Sequence, residues 1–175
     1  MCSSDLFSYP HPVSVQFVRP DGTSLGTARK VGASTTFLDP IRLDASGTWR
    51  VVVSAPDPDA GAMRVLLRSV TDQNATLTVG GAGVLFVFNQ PGQVARVSFT
   101  RTAGQPFVLH FVGSTLVNTP VRVYPPGTAS FLSCTVGAGN LTCPMHTAST
   151  TGTYVAIIDP PGENLGLTFV SVGTV

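Results

Sequence analysis

Displaced by 105 positions, the second half of this chain falls back on the first. The shift sets Pro20 against Pro125, Gly22 against Gly127 and Thr23 against Thr128. It also sets Val31-Gly32-Ala33 against Val136-Gly137-Ala138, and Gly47-Thr48 against Gly152-Thr153. Across the 51 positions from 20 to 70 there are twelve identities, most of them at turn residues. Trp49 against Tyr154, Val53 against Ile158 and Leu67 against Val172 keep the character of the side chain. A period of this length is that of a whole small domain, repeated. Residues from about 75 to 118 have no counterpart ahead of Pro12, so the first copy begins in its middle. The expected organisation is the back half of one unit over 12–74 and a complete unit over 75–175, with the seam near Thr71-Asp-Gln-Asn74.

Within the units the periodicity is two. Phe107, Leu109 and Phe111 fall on one face, as do Tyr154, Ala156 and Ile158, which correspond to Trp49, Val51 and Val53. In the last strand Arg64 and Arg68 claim one face, which turns Met63, Val65 and Leu67 inward, and with them Thr168, Val170 and Val172. Eighteen glycines and fourteen prolines punctuate these short runs, at Pro20-Asp-Gly-Thr23 and Pro126-Gly-Thr128 among other places. Helical periodicity is sustained nowhere. The expected fold is all-β, made of tandem antiparallel β-sandwich repeats (jelly-roll or Ig-like) of about 105 residues with the first truncated. The truncated copy lacks much of one facing sheet, which leaves Trp49, Val51, Val53, Val65 and Leu67 partly uncovered.

Charge excludes several classes of partner. Only 11% of residues are charged, the formal net charge is +1 and Lys30 is the single lysine. No electrostatic footprint for nucleic acid follows from that balance. No apolar run reaches the length of about 20 residues that spans a bilayer as a helix, and no membrane insertion is expected. The opening Met1-Cys-Ser-Ser-Asp-Leu6 looks foreign to the protein, whose true N-terminus is expected elsewhere, and it carries no weight in this reading.

Few residues offer chemistry. Cys134 and Cys143 flank eight residues, and a hairpin centred on Ala138-Gly139 would set them opposite each other within disulfide reach. Such a bond persists in an oxidising compartment. The first copy carries Arg29 and Leu38 at the same places, so the bond would reinforce the fold locally. His11, His110 and His146 are far apart and in no ligand spacing. The complete copy has only Asp159 and Glu163 as acids, both in one loop, which argues against paired-carboxylate catalysis. Asp57 and Asp59, with Asp39 and Asp44, could offer oxygen ligands to calcium, but Asp57 and Asp59 are weak candidates, since their counterparts Gly162 and Asn164 cannot serve in the same way. No catalytic residue, cofactor-binding motif or metal site is expected.

The order of motifs resembles a known class. Val94-Ala-Arg-Val-Ser-Phe-Thr100 is followed by Ala103-Gly104, Phe107-Val-Leu-His-Phe-Val112, Val121-Arg-Val-Tyr-Pro-Pro-Gly127, Thr151-Gly-Thr-Tyr-Val-Ala-Ile-Ile158 and Gly166-Leu-Thr-Phe169. This resembles the bacterial pre-peptidase C-terminal class of β-sandwich. It is closer still to the tandem sandwich repeats of large secreted YD-repeat (Rhs-type) cell-surface proteins. The resemblance implies a non-catalytic structural or adhesive module of a longer exported bacterial chain, outside the cell or on its surface. Its expected partners are neighbouring repeats of the same polypeptide and a cell-surface protein or polysaccharide. The alternative is a carbohydrate-binding accessory module of a secreted hydrolase, which would need exposed, coplanar aromatic rings along one sheet face. Some domains of this class bind calcium through an aspartate pair before the central strand. The matching stretch here, Asn118-Thr-Pro-Val121, has no acids.

Overall fold

The computed structural model describes residues 2–6, 11–32, 36–56 and 61–174. Two compact units divide the chain, Met1–Ser69 and Val70–Val175. The division falls ahead of Thr71–Asn74, so the segment expected at the end of the first copy belongs to the second unit. Every regular element among the described residues is a strand, and the protein is all-β.

The first unit contains β1 (Cys2–Leu6), β2 (Val13–Val18), β3 (Ser24–Val31), β4 (Thr36–Leu38), β5 (Arg50–Ser54) and β6 (Met63–Leu67). They form two three-stranded antiparallel sheets, ordered β3-β2-β5 and β4-β1-β6. Val13, Val15, Val31 and Leu38 are buried together, with Phe17, Val51 and Met63 packed against them. Cys2–Leu6, given no weight in the sequence reading, pairs along its backbone with both β4 and β6.

The second unit contains β7 (Gln73–Thr76), β8 (Val84–Phe88), β9 (Ala95–Arg101), β10 (Pro106–Ser114), β11 (Thr119–Tyr124), β12 (Leu132–Val136), β13 (Gly139–Thr142), β14 (His146–Thr147), β15 (Gly152–Ile158) and β16 (Gly166–Gly173). One sheet runs β12-β11-β15-β9-β7, the other β13-β10-β16-β8 with β14 also paired to β10. Only β7, laid along β9, is parallel to its neighbour among the described pairings. The inward faces meet in one core of apolar residues drawn from both sheets. At its centre Phe99 on β9 lies 5.2 Å from Phe107 on β10, and Tyr154 on β15 lies 5.4 Å from the same Phe107 ring. Thr168, Val170 and Val172 face this core, as the sequence pattern indicates.

Strand order and register recur between the two units. The order β3-β2-β5 matches β12-β11-β15, and β4-β1-β6 matches β13-β10-β16. The registers match as well. A displacement of 106 for β2 and 105 for β5 carries the partners Val15 and Val53 onto Val121 and Ile158. With 105 for β3, Val13 and Val31 become Thr119 and Val136. A displacement of 107 for β1 carries Ser4 and Val65 onto Phe111 and Val170. The extra step at β2 comes from the turn, where Pro20-Asp-Gly-Thr23 is one residue longer than Pro126-Gly-Thr128.

That turn also corrects the alignment at one place. A Cβ on Gly47 would lie 2.8 Å from the Pro20 ring, and one on Gly152 would lie 2.8 Å from the Pro126 ring. Pro20 therefore stands where Pro126 stands, and its sequence match to Pro125 is displaced by one. Both glycines have positive φ, +130° and +147°, so close approach and backbone conformation each demand glycine there.

Counterparts of β7, β8, β9 and β14 are absent among the described residues of the first unit. Val53, Val65 and Leu67 are 38%, 37% and 60% exposed, whereas Ile158, Val170 and Val172 are 0%, 0% and 1% exposed. The inward placement of Val65 and Leu67 thus lacks the facing layer that would bury them.

Candidate functional site

The two lateral openings of the second sandwich are each fastened by side chains. On one side stands Cys134 in β12, opposite Val121 of β11. Cys143 follows β13 directly, and its amide donates to the Leu109 carbonyl of β10 at 2.9 Å. The two cysteines are joined in a disulfide, with Cα atoms 5.8 Å apart. The expected distance is met, but the expected hairpin is not. β12 and β13 belong to different sheets, Val136 pairing with Thr119 and Leu141 with Phe111. Two consecutive strands that each complete a different sheet cannot pair with each other. The bond therefore ties sheet to sheet. Arg29 and Leu38, the corresponding residues of the first unit, also lie on strands of different sheets.

On the opposite side the fastening is a side-chain amide. Gln73 of β7 donates from Nε2 to the Val87 carbonyl at 2.9 Å, and its Oε1 accepts from the Val87 amide at 3.4 Å. Its own backbone amide donates to the Val94 carbonyl at 2.9 Å. One residue thus reaches from the edge of one sheet to the edge of the other and occupies both polar groups of Val87. This is a familiar way of blunting an exposed strand edge. Nothing in the sequence marks Gln73, because the contact depends on where β7 lies beside β8.

Two surface features could meet a partner. Arg122, Tyr124 and Phe131 gather at the end of β11, with the Tyr124 and Phe131 rings 5.4 Å apart and the Arg122 guanidinium carbon 5.6 Å from the Phe131 ring centre. Arg122 also lies 3.7 Å from Asp159. The two rings are inclined at 49°, so they do not form the flat platform that stacking on a sugar favours. The second feature is apolar. Leu85, Phe169 and Val112 stand in one cross-strand row over β8, β16 and β10, with Val87 and Leu167 paired in the next row. All five are exposed.

The titratable residues are dispersed. His110 makes a 3.1 Å contact from Nδ1 to the Thr142 hydroxyl. His146 lies against Phe107, ring centres 5.9 Å apart, and burial lowers its pKa. Asp44, grouped with Asp57 and Asp59 as a possible calcium ligand, is held by Arg19 through Nε and Nη2 at 3.0 Å. The Arg19 hydrogen bonds keep its carboxyl below the usual range. Asp57 and Asp59 lie outside the described residues. Among the described residues no group of three or more His, Cys, Asp or Glu side chains converges as a metal site would require.

Trp49 and Tyr154 make the same local bond. Trp49 Nε1 donates to the Ala45 carbonyl and the Tyr154 hydroxyl donates to the Thr150 carbonyl, each at 3.0 Å and each four residues back. Tyr154 is sealed in the core, stacked at 5.7 Å on Phe99. Trp49 is half-buried.

No protein-family model matches the chain, and no curated protein matches it in sequence. Among solved structures it is similar to the pre-peptidase C-terminal domain of a collagenase from Bacillus anthracis. That likeness has a TM-score of 0.47 at 7% identity and covers 61% of this chain and 99% of the other. PliG, a periplasmic inhibitor of g-type lysozyme from Aeromonas hydrophila, is similar over 58% of this chain and 99% of its own, with a TM-score of 0.38 and 18% identity.

Proposed function

We propose that this chain is a non-catalytic structural module of a larger exported bacterial protein, built of one and a half tandem β-sandwich repeats. The parent would be a cell-surface protein of the YD-repeat (Rhs) kind, and the module's role mechanical or adhesive. The observation that carries this reading is the shared register of the two units. Strand pairings and the Gly–Pro contact recur, while the charged residues do not. Arg29 and Leu38 replace the cysteines, and Asp57 and Asp59 face Gly162 and Asn164 in the alignment. What is duplicated is the framework. A disulfide between the sheets fits an oxidising compartment.

Affinity electrophoresis against soluble cell-wall and plant polysaccharides tests the proposal. A structural module migrates unretarded in all of them. Retardation that disappears in Tyr124→Ala and Phe131→Ala would replace it with the carbohydrate-binding alternative.

A further inference from the structure

We infer that residues 71–77 form a tension clamp, the element that sets how much pull along the chain the second unit withstands. The inference rests on reading the chain as a structural module and gives its mechanical role a location. The chain enters the second unit at β7 and leaves it at β16. Gln73, at the start of β7, bonds to Val87, which pairs with Leu167 near the start of β16. Just beyond β7 the Gly80 amide donates at 2.7 Å to the carbonyl of Val172, near the end of β16. β7 and β16 therefore run in the same direction, with entry and exit at opposite ends of the sandwich. Pull from both sides draws β7 back past its start and β16 onward past its end. Both strands are loaded in shear, so their cross-strand bonds share the load and break together rather than one by one.

The two strands are not held equally. Among the described residues β16 has β10 on one edge and β8 on the other, whereas β7 has β9 alone. The opposite side of the sandwich is closed covalently by Cys134 and Cys143. β7 is thus where the unit yields first, and polar contacts are concentrated at its loaded end. The Thr71 carbonyl accepts from Gln93 Nε2 at 2.8 Å. Asp72 Oδ1 accepts from the Val94 amide at 3.2 Å, and Asp72 Oδ2 lies 3.7 Å from Arg96. The Gln73 amide donates to the Val94 carbonyl at 2.9 Å and the Leu77 amide to the Ser98 carbonyl at 2.8 Å. Gln73 adds its side-chain bonds to Val87 in the other sheet. The same geometry accounts for the parallel pairing of β7 with β9. An antiparallel strand in that place would put entry and exit at one end, and tension would peel it off residue by residue.

In the test, the full 175-residue chain is stretched at constant force between folded marker domains fused to its two ends. Release of the second unit is recognised because reducing the disulfide lengthens that step, and no other, by the segment between Cys134 and Cys143. Asp72→Ala is expected to raise the rate of that step about tenfold, the worth of one hydrogen bond to a charged group, because forced unfolding follows the unfolding rate. The Asp72 side chain is exposed, so the variant folds, and Gln73→Ala serves as a second one. The same variants are then pulled from the C-terminus and from Ala103→Cys, in a Cys2→Ser background. Ala103 lies between β9 and β10, so this geometry leaves β7 outside the path of the force, and the rate should match that of the parent. An unchanged rate under end-to-end pull overturns the inference. So does an equal rise in both geometries, which marks a general loss of stability. The structural reading fails separately, through retardation by a polysaccharide, which leaves the dependence on pulling direction untouched.

Discussion

Among the described residues the first unit pairs six strands and the second ten, and the six follow the same order and register as their counterparts. With the framework held nearly constant, the difference isolates what completes a sandwich. β8 and β9 contribute Phe86, Phe88, Ala95, Val97 and Phe99 to the core of the second unit. Among the described residues of the first unit no such strands occur, four apolar residues are buried together, and Val53, Val65 and Leu67 stay at the surface. Each large side chain moved from water to the core contributes about 1.5–3 kcal/mol. Whole domains are stable by only about 5–15 kcal/mol. The burial that two such strands contribute is therefore comparable with the whole stability of a domain.

The largest expected difference is between fragments. Residues 70–175 expressed alone should unfold in a single cooperative transition, whereas residues 1–69 alone should show none. Urea denaturation followed by circular dichroism checks both, and a cooperative transition in 1–69 would break the comparison.

Reduction of the disulfide should come next. The Cys134→Ala, Cys143→Ala double variant is expected to lose roughly 2–3 kcal/mol from the second unit, the loop-closure value for a loop of this size. Trp49 emission in the first unit should not change. If the reported loss falls in the first unit, the assignment of the clamp to one sandwich is wrong.

A smaller effect is expected from Gln73→Ala, which strips the cap from Val87. About 1 kcal/mol should be lost, the net value of ordinary hydrogen bonds, and light scattering should rise with concentration as the β8 edge is freed. Stability loss without association would mean that the apolar row beside β8 does not template pairing.

The smallest concerns pH. Burial lowers the pKa of His146, so the unfolded chain binds more protons in the window below about 6.5. The second unit should keep its full stability above that window and lose some as pH falls through it. His146→Asn should flatten this slope, and the first unit should show none of it.

The all-β class was readable because alternation of apolar residues and turn chemistry are local properties. The core face of β15 followed from the same signal, whereas that of β16 was ambiguous by alternation and was chosen from Arg64 and Arg68 in the first copy. The Cys134–Cys143 distance was readable for a reason that proved incidental. A nine-residue separation permits a hairpin, and it equally permits a crossing between sheets. Only the partners of β12 and β13 distinguish the two. Pro20 shows the same limit. Identity favoured Pro125, yet the contact with Gly47 selects Pro126 as its counterpart. Gln73 carried no local signal at all.

The sequence by itself determined that the chain forms short amphipathic strands, where they turn, and which face of each is apolar. Period and turn residues act over a few positions, so a linear reading captures them. The tertiary structure decided which strands share a sheet, how the two sides of the second sandwich are locked, and which apolar faces are covered. Those outcomes depend on contacts between segments far apart in the chain. Val65 and Val170 are the same residue type in equivalent strands, and one is exposed while the other is sealed. Burial belongs to the layer that packs above a side chain, and that layer is specified elsewhere in the chain.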